Sequence, residues 1–235
     1  EILRANLDQS EPSLGMGPLD WKQLTDEQRR LGTQLRALFP SNLELQRVRH
    51  HIAHLQSAFS FCGHEEAAGL SLDGSGGEES GLLAHRVGGK INILHAIPNA
   101  RSWGMFFEAG TRHLGFRAHF DEGKVMGLAS YGAAHAEAWP ILDSSTPVPS
   151  LDPVRWQAFL ASRLSRAPGE ELLDDHVRFA AGLQRTYEEG LLGLARWLRE
   201  TTGCARLVLS GGCALNCTAN GRLAAAGIFD EVYVS

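Results

Sequence analysis

Towards the end of the chain, two short apolar runs at 206–209 and 231–234 bracket a helical stretch at 214–226 that Gly227 ends. Strand, helix and strand in that order form a βαβ unit, because two parallel neighbours need a crossover between them. At least part of the sheet is therefore parallel. Earlier, runs at 81–87 and 90–96 flank Gly88-Gly89, a two-residue turn whose glycines can take positive φ, which predicts an antiparallel hairpin. The expected class is α/β with a mixed sheet and flanking helices. With 235 residues and 43% hydrophobic content, the chain can bury a real core, as one large domain or one and a half.

The rest of the chain divides into four parts. Residues 1–22 show no period and read as a linker. Thr25 then caps a helix with Leu31, Leu35 and Leu38 on one face, stopped by Pro40, so 1–43 is an N-terminal linker and helix belonging to a truncated lobe. Residues 44–132 form the first part of the main domain. A short strand at 44–49 leads into a helix packed through Ile52, Leu55, Phe59 and Cys62, and a buried strand at 67–72 follows. Ser102 caps a helix that ends at Gly115, and a short helix starts at Glu122. Residues 133–170 are rich in Pro, Ser and Ala without a period and read as an irregular insertion leading away from the core. In 171–235, Leu183, Tyr187, Leu191, Leu194 and Leu198 mark a long helix ended by Gly203, and the βαβ unit completes the part.

Chemistry concentrates in a few places. His50, His51 and His54 share the start of one helix, and His50 and His54 stand one turn apart on one face. That spacing lets one helix offer two nitrogen ligands to a divalent metal, and it also suits solvated or core-edge histidines. Ligands in open α/β sheets bind beyond the carboxyl ends of the strands. Asp73 sits at such an end, before Gly74-Ser75-Gly76-Gly77, where a carboxylate can bind metal, orient water or cap the turn. Gly211 and Gly212 sit at another, opening a helix whose amides can take a phosphate, with Asn216 and Asn220 on the helix face that leads away. Gly211 lets backbone amides approach that phosphate, so a side chain there should weaken nucleotide binding more than folding. Lys124, beside Glu122 in an apolar stretch, is either a phosphate or substrate contact or half of a surface ion pair. Cys213 and Cys217 read as buried thiols rather than metal ligands.

A net charge of −5 without a basic stripe argues against a nucleic-acid partner, and no apolar run reaches membrane-spanning length. The cysteines form no framework and no signal segment opens the chain, so a reduced, cytoplasmic setting is expected. The start at Glu1 without methionine and the end at Ser235 read as an internal piece of a longer protein.

Several of these segments together resemble one family. They are His-His-Ile-Ala-His-Leu-Gln-Ser-Ala-Phe at 50–59, Leu-Asp-Gly-Ser-Gly at 72–76, Ser-Trp-Gly at 102–104, Leu-Gly-Phe at 114–116, Glu-Gly-Lys-Val-Met-Gly-Leu-Ala at 122–129 and Ser-Gly-Gly-Cys-Ala-Leu-Asn-Cys-Thr-Ala-Asn-Gly-Arg-Leu at 210–223. In order and spacing, from about residue 45 to the end, they resemble the nodulation-type and antibiotic-biosynthesis O-carbamoyltransferases. Those have an actin-like ATPase (ribonuclease H-like) fold and are related to the tRNA threonylcarbamoyl transferases.

The resemblance implies a part of that fold and a set of roles. His50 and His54 would bind metal, iron or zinc, and His51 would lie beside the reacting group. Asp73 would face phosphates and metal, with Lys124 as a further catalytic contact. The segment from Gly211 and Gly212 through Asn216 to Asn220 would line the nucleotide pocket. The implied reaction makes carbamoyl-adenylate from carbamoyl phosphate and ATP in a separate C-terminal domain, then passes the carbamoyl group to a hydroxyl of a sugar or natural product. The family's third metal ligand, an aspartate, would fall beyond Ser235, and its early strands and C-terminal domain are absent. This piece alone is therefore expected to be inactive, with its exposed strand edge covered by a second copy, as in a homodimer, or by a crystal neighbour. Position 123 is glycine where the family commonly has an aromatic. The rivals are a threonylcarbamoyl transferase acting on tRNA, whose histidine motif normally carries a glutamate between the ligands, and a non-catalytic metal- or nucleotide-binding module.

Overall fold

The computed structural model describes residues 17–18, 26–39, 46–77, 79–143 and 145–235. Its centre is a five-stranded sheet of β1 (Ala67–Leu72), β2 (Glu79–Val87), β3 (Lys90–Pro98), β4 (Arg206–Ser210) and β5 (Glu231–Val234), in the order 3-2-1-4-5. β1, β2 and β3 run antiparallel to one another in turn, whereas β4 and β5 run parallel to β1. This is a mixed sheet, antiparallel on one side of β1 and parallel on the other. The hairpin turns at Gly88 and Gly89, with φ of 58° and 77°, and the chain returns by the crossover the βαβ pattern demands.

Helices cover both faces. On one lies α2 (His50–Phe61), whose Ile52, Leu55, Ala58 and Phe59 pack on Ala67, Leu82, Ala84 and Val208. On the other lies the main core, built by α3 (Trp103–His113), α4 (Glu122–Ala129), α6 (Asp174–Thr202) and α7 (Cys217–Ala225) against Leu70, Leu72, Leu83 and Leu209. The leucine repeat buries Leu183, Leu191, Leu194 and Leu198 along α6, and Gly203 in the left-handed region ends that helix. No helix among the described residues is long and apolar enough to cross a membrane.

Three expectations change. Residues 133–170 do not lead away from the core: Ile141, Leu151 and Trp156, the last on α5 (Pro153–Ala161), join the main cluster, and Trp139 stacks on Trp156 at 5.6 Å. Aromatic residues too widely spaced to show a period fix the segment in place. The expected helix at 214–226 is broken into a 3-10 turn, Gly212–Leu215, and α7, because Asn216 interrupts it. The helix over 26–38 forms as α1 (Asp26–Leu38), but Leu31 and Leu38 on its expected apolar face remain exposed. The linker reading of 1–22 falls outside the described residues except at Gly17–Pro18, which pairs with Gln46–Arg47, the part of the strand expected at 44–49 seen among the described residues.

Candidate metal centre and adjoining cleft

β1 delivers Asp73 to the first turn of α2. His50 Nε2 lies 3.2 Å and His54 Nε2 3.4 Å from Asp73 Oδ2, and the two Nε2 atoms are 3.1 Å apart. Donors about 2.0–2.2 Å from one ion stand roughly 3.0–3.5 Å from each other at octahedral or tetrahedral angles. The three separations fit that edge length, and two imidazoles with one carboxylate suit zinc or ferrous iron. A carboxylate from β1 thus already stands with the two histidines.

Asp73 is also the hinge to the glycine loop. Its Oδ1 accepts the Gly74 amide at 2.9 Å, and its Oδ2 accepts the Gly212 amide at 3.2 Å. Burial opposes ionisation here, but the Gly74 amide, His50 and the Gly212 amide outweigh it and hold the carboxyl below its ordinary value. Burial, and then the neighbouring His50, lower the His54 imidazole, which keeps it in the neutral, ligating form.

His51 lies behind the pair, its Nε2 turned towards Gly76. It is fully buried, with Nδ1 2.8 Å from Ser71 Oγ, while its Nε2 has no protein partner. Burial and His50 push it down to about 4, so it is a neutral imidazole near pH 7. The buried Glu79 pairs with Arg49 at 2.8 Å, which ties the residue preceding α2 to the start of β2.

Gly211 turns β4 back at φ 87°, and a Cβ there would strike the carbonyl oxygen of Leu72. Gly211 is therefore fixed by contact with β1, and a side chain there must disturb the fold whatever binds nearby. The Gly212 amide is taken by Asp73. Asn216, expected on a helix face, caps α7 by accepting the Ala219 amide at 3.0 Å and exchanges two amide bonds with Gln184. Asn220 donates to the Ala214 carbonyl at 2.7 Å, bracing the loop from behind. Lys124 Nζ is 2.8 Å from Asp121, not Glu122, so a bound phosphate would compete with that carboxylate.

Between α3, α4, α6 and the loop opens a cleft of about 430 Å³, with Asp73, Gly212 and Asn216 on one wall and Phe107, Glu108, Phe120, Glu122 and Met126 among the others. The structure therefore brings Asp73, Gly212 and Asn216 to the cleft, whereas Gly211, Asn220 and Lys124 are not in its lining. Sequence reading misses Ser71, Glu108, Phe120 and Gln184. Only the alternation of β1, which puts Ser71 on the same face as Asp73, signals one of them. Ser102 caps α3 through the Met105 amide and donates to the Gly74 carbonyl at 2.7 Å, so the Ser-Trp-Gly segment also positions the Asp73 turn. Cys213 lies beneath the cleft, and Tyr187 donates to its carbonyl at 3.2 Å.

A family model described as carbamoyltransferase N-terminus matches residues 21–145 and 155–235. The chain is 37% identical over 193 residues to nodulation protein NolNO of Sinorhizobium fredii, covering 80% of this chain and 28% of that protein. It is equally similar, at 37% over 193 residues, to nodulation protein NolO of Bradyrhizobium diazoefficiens, covering 80% and 35%. An uncharacterized Synechocystis protein is 31% identical over 202 residues, covering 79% and 33%. Among solved structures, component A of Acidaminococcus fermentans (R)-2-hydroxyglutaryl-CoA dehydratase superposes with a TM-score of 0.45 at 17% identity, covering 77% of this chain and 59% of that one. The chain spans about a third of the length of the curated relatives it matches.

Proposed function

The chain belongs to the carbamoyltransferase N-terminal family, and on that premise we propose that it carries out O-carbamoyl transfer from carbamoyl-adenylate to a hydroxyl of a sugar or natural product. The observation that carries the proposal is the position of Asp73, whose one carboxylate belongs both to the His50–His54 donor set and to the wall of the cleft. Ligand and metal would therefore meet at a single point.

His50, His54 and Asp73 would hold a zinc- or iron-class dication, which when bound supplies Lewis-acid polarisation of an acyl oxygen. The chain's own groups do the rest. The amides of Gly74 and Gly212 keep Asp73 ionised and aimed at the imidazoles. The uncharged His51 beside this cluster offers a hydrogen-bonding ring without adding charge, and Ser71 fixes its orientation. Phe107, Phe120 and Met126 give the cleft apolar surface for a ring system.

The cleft lining contains the carboxylates of Asp73, Glu108 and Glu122 and neither lysine nor arginine. With Asp73 neutralised by the dication it would hold and Glu108 paired with Arg112, this lining offers a triphosphate no lysine or arginine for its remaining charges, and a singly charged adenylate needs fewer. That favours a scheme in which ATP and carbamoyl phosphate are consumed elsewhere in the full-length protein and carbamoyl-adenylate is handed to this cleft.

The test supplies purified carbamoyl-adenylate and a panel of sugar and natural-product alcohols to the full-length protein, with carbamate formation followed by mass spectrometry. Transfer is expected with the wild type, and His54→Ala should lose bound metal and transfer together. His51→Ala should keep the metal and slow transfer. Adenylate binding without turnover of any alcohol would assign a binding module instead, and unchanged metal content in His54→Ala would remove the metal assignment.

A further inference from the structure

A second group of metal-ligating side chains lies at the other end of the same strands. Asp73 and Gly211 follow β1 and β4, whereas Glu66 precedes β1 and Cys204 precedes β4. At about 3.3 Å per residue, the length of β1 puts the two ends roughly 20 Å apart. We propose that Glu66, His85 and Cys204 form a second divalent-metal site of the zinc class, independent of the histidine cluster on α2 and of the carbamoyl-transfer reading.

Backbone geometry brings the three together. His85 on β2 is in register with Ala68 on β1. Glu66 is two residues before Ala68, so it projects to the same face of the sheet. Cys204 enters from that face, next to the left-handed Gly203 that ends α6, and its amide is held by Thr202 Oγ1 at 3.1 Å. His85 Nε2 lies 3.1 Å from Glu66 Oε1, and one donor atom from each of the three lies within 4.8 Å of the others. A Glu–His ion pair accounts for two of these groups but gives no reason for a thiol from a third element to join them.

The donor set selects the ion. Sulfur, imidazole nitrogen and one carboxylate oxygen suit zinc and exclude the oxygen-seeking magnesium and calcium. Cys204 is buried and the Glu66 side chain is about half exposed, at 51%, so the site has a fixed floor and an open approach. Binding would replace the Cys204 thiol proton with a metal–sulfur bond, the proton passing to buffer. Three protein ligands leave one position for water. An ion held there would clamp the end of α6 and the start of β4 to the β1–β2 pair.

Cobalt(II) distinguishes this site from the α2 cluster, because only a thiolate ligand gives a sulfur-to-cobalt charge-transfer absorption in the near ultraviolet. The experiment titrates the whole chain carrying His54→Ala with cobalt(II), then displaces it with zinc. The expected result is a charge-transfer band that saturates at one equivalent, disappears with zinc and is lost when Cys204→Ser is added. Zinc should also raise the melting temperature of the His54→Ala protein, since it binds only the folded chain. Glu66→Gln and His85→Ala lie towards the exposed end and should fold even if Cys204→Ser does not; each should weaken zinc binding about ten-fold or more. No charge-transfer band at saturating cobalt, a band that survives Cys204→Ser, or zinc affinity unchanged in both Glu66→Gln and His85→Ala would overturn the proposal.

Discussion

The two faces of the central sheet are built to different depths, and the candidate site lies on the shallow side. β1 reads Ala-Ala-Gly-Leu-Ser-Leu, and alternation sends Ala67, Gly69 and Ser71 to α2 but Ala68, Leu70 and Leu72 to α6. The α6 face is thick and aromatic, with Trp103 and Phe106 fully buried and Trp139, Trp156 and Phe159 packed behind them. The α2 face is thin. Small residues let the helix axis approach the strand closely enough for His51 to touch Ser71 and for His50 and His54 to meet Asp73. One face supplies stability, and the other converts stability into the position of three imidazoles.

The largest effect should follow from breaking the thick face. Trp103 is 1% exposed and packs edge-on to Phe106 and Tyr187. Trp103→Ala should cost about 3–5 kcal/mol, read as a lower urea midpoint with an unchanged slope. In the fraction that remains folded, metal stoichiometry at the α2 cluster should be unchanged. A protein that kept its stability but lost the metal would reverse the proposed division between the faces.

The next effect tests the thin face. A Cβ on Gly69 would stand 2.6 Å from Phe59 Cζ and 2.9 Å from Leu55 Cδ2, so Gly69→Ala must displace these two buried side chains of α2, and we expect the helix to shift with them. Overpacking of this kind costs about 1–3 kcal/mol. Metal affinity should fall by more than that stability loss explains, because the displaced helix carries both histidines. Gly123→Ala is the control: that glycine lies in α4, and a methyl group added there would meet nothing within 4 Å. It should stabilise the fold by about 0.4–1 kcal/mol and leave metal binding unchanged. Equal metal affinities in the two variants would show that close approach of α2 does not set the site.

The same division explains what the sequence discloses. The hairpin, the leucine repeat of α6 and the βαβ unit are legible because each repeats a period or carries turn glycines with a fixed backbone demand. The pairing of His50 and His54 follows from one helical turn, and the place of Asp73 from its position after a buried strand. The cleft is not legible, since Asp73 after β1, Glu108 on α3 and Tyr187 on α6 come from elements far apart in sequence and meet only through packing. Residues 133–170 mislead for a related reason: Trp139, Trp156 and Phe159 form a cluster in space without any period along the chain. Asn216 reads as a helix-face residue because its capping role depends on a break that Leu215 and Cys217 do not announce.

A smaller effect tests where the thick face meets the cleft. Asn216 caps α7 and exchanges amide bonds with Gln184, which also donates to Glu188 at 2.8 Å. Asn216→Ala should cost about 1 kcal/mol from the lost cap, read by thermal denaturation. Asn216→Asp keeps a capping oxygen but cannot donate to Gln184, so it should recover most of the stability and little of any loss in ligand affinity. Full recovery of both would confine Asn216 to capping.

The last prediction changes no stability and concerns the floor of the cleft. Cys213 belongs to the 3-10 turn after Gly211, packs against the main core and lies near Asp73. Burial, and then the negative charge of Asp73, push its thiol up to about 12. Alkylation requires the thiolate, which at about pH 8 would be roughly one molecule in ten thousand for such a thiol, against about a quarter for an unperturbed one. Cys217, four residues on, is exposed at the start of α7. Iodoacetamide followed by peptide mass mapping should therefore mark Cys217 early and leave Cys213 unmodified until denaturant is added. If Cys213 reacted as fast as Cys217 in the folded protein, the cleft floor would be opening on the α6 side. The thick face would then end short of Asp73, and the candidate site would have mobile ground on both sides rather than a rigid core beneath one of them.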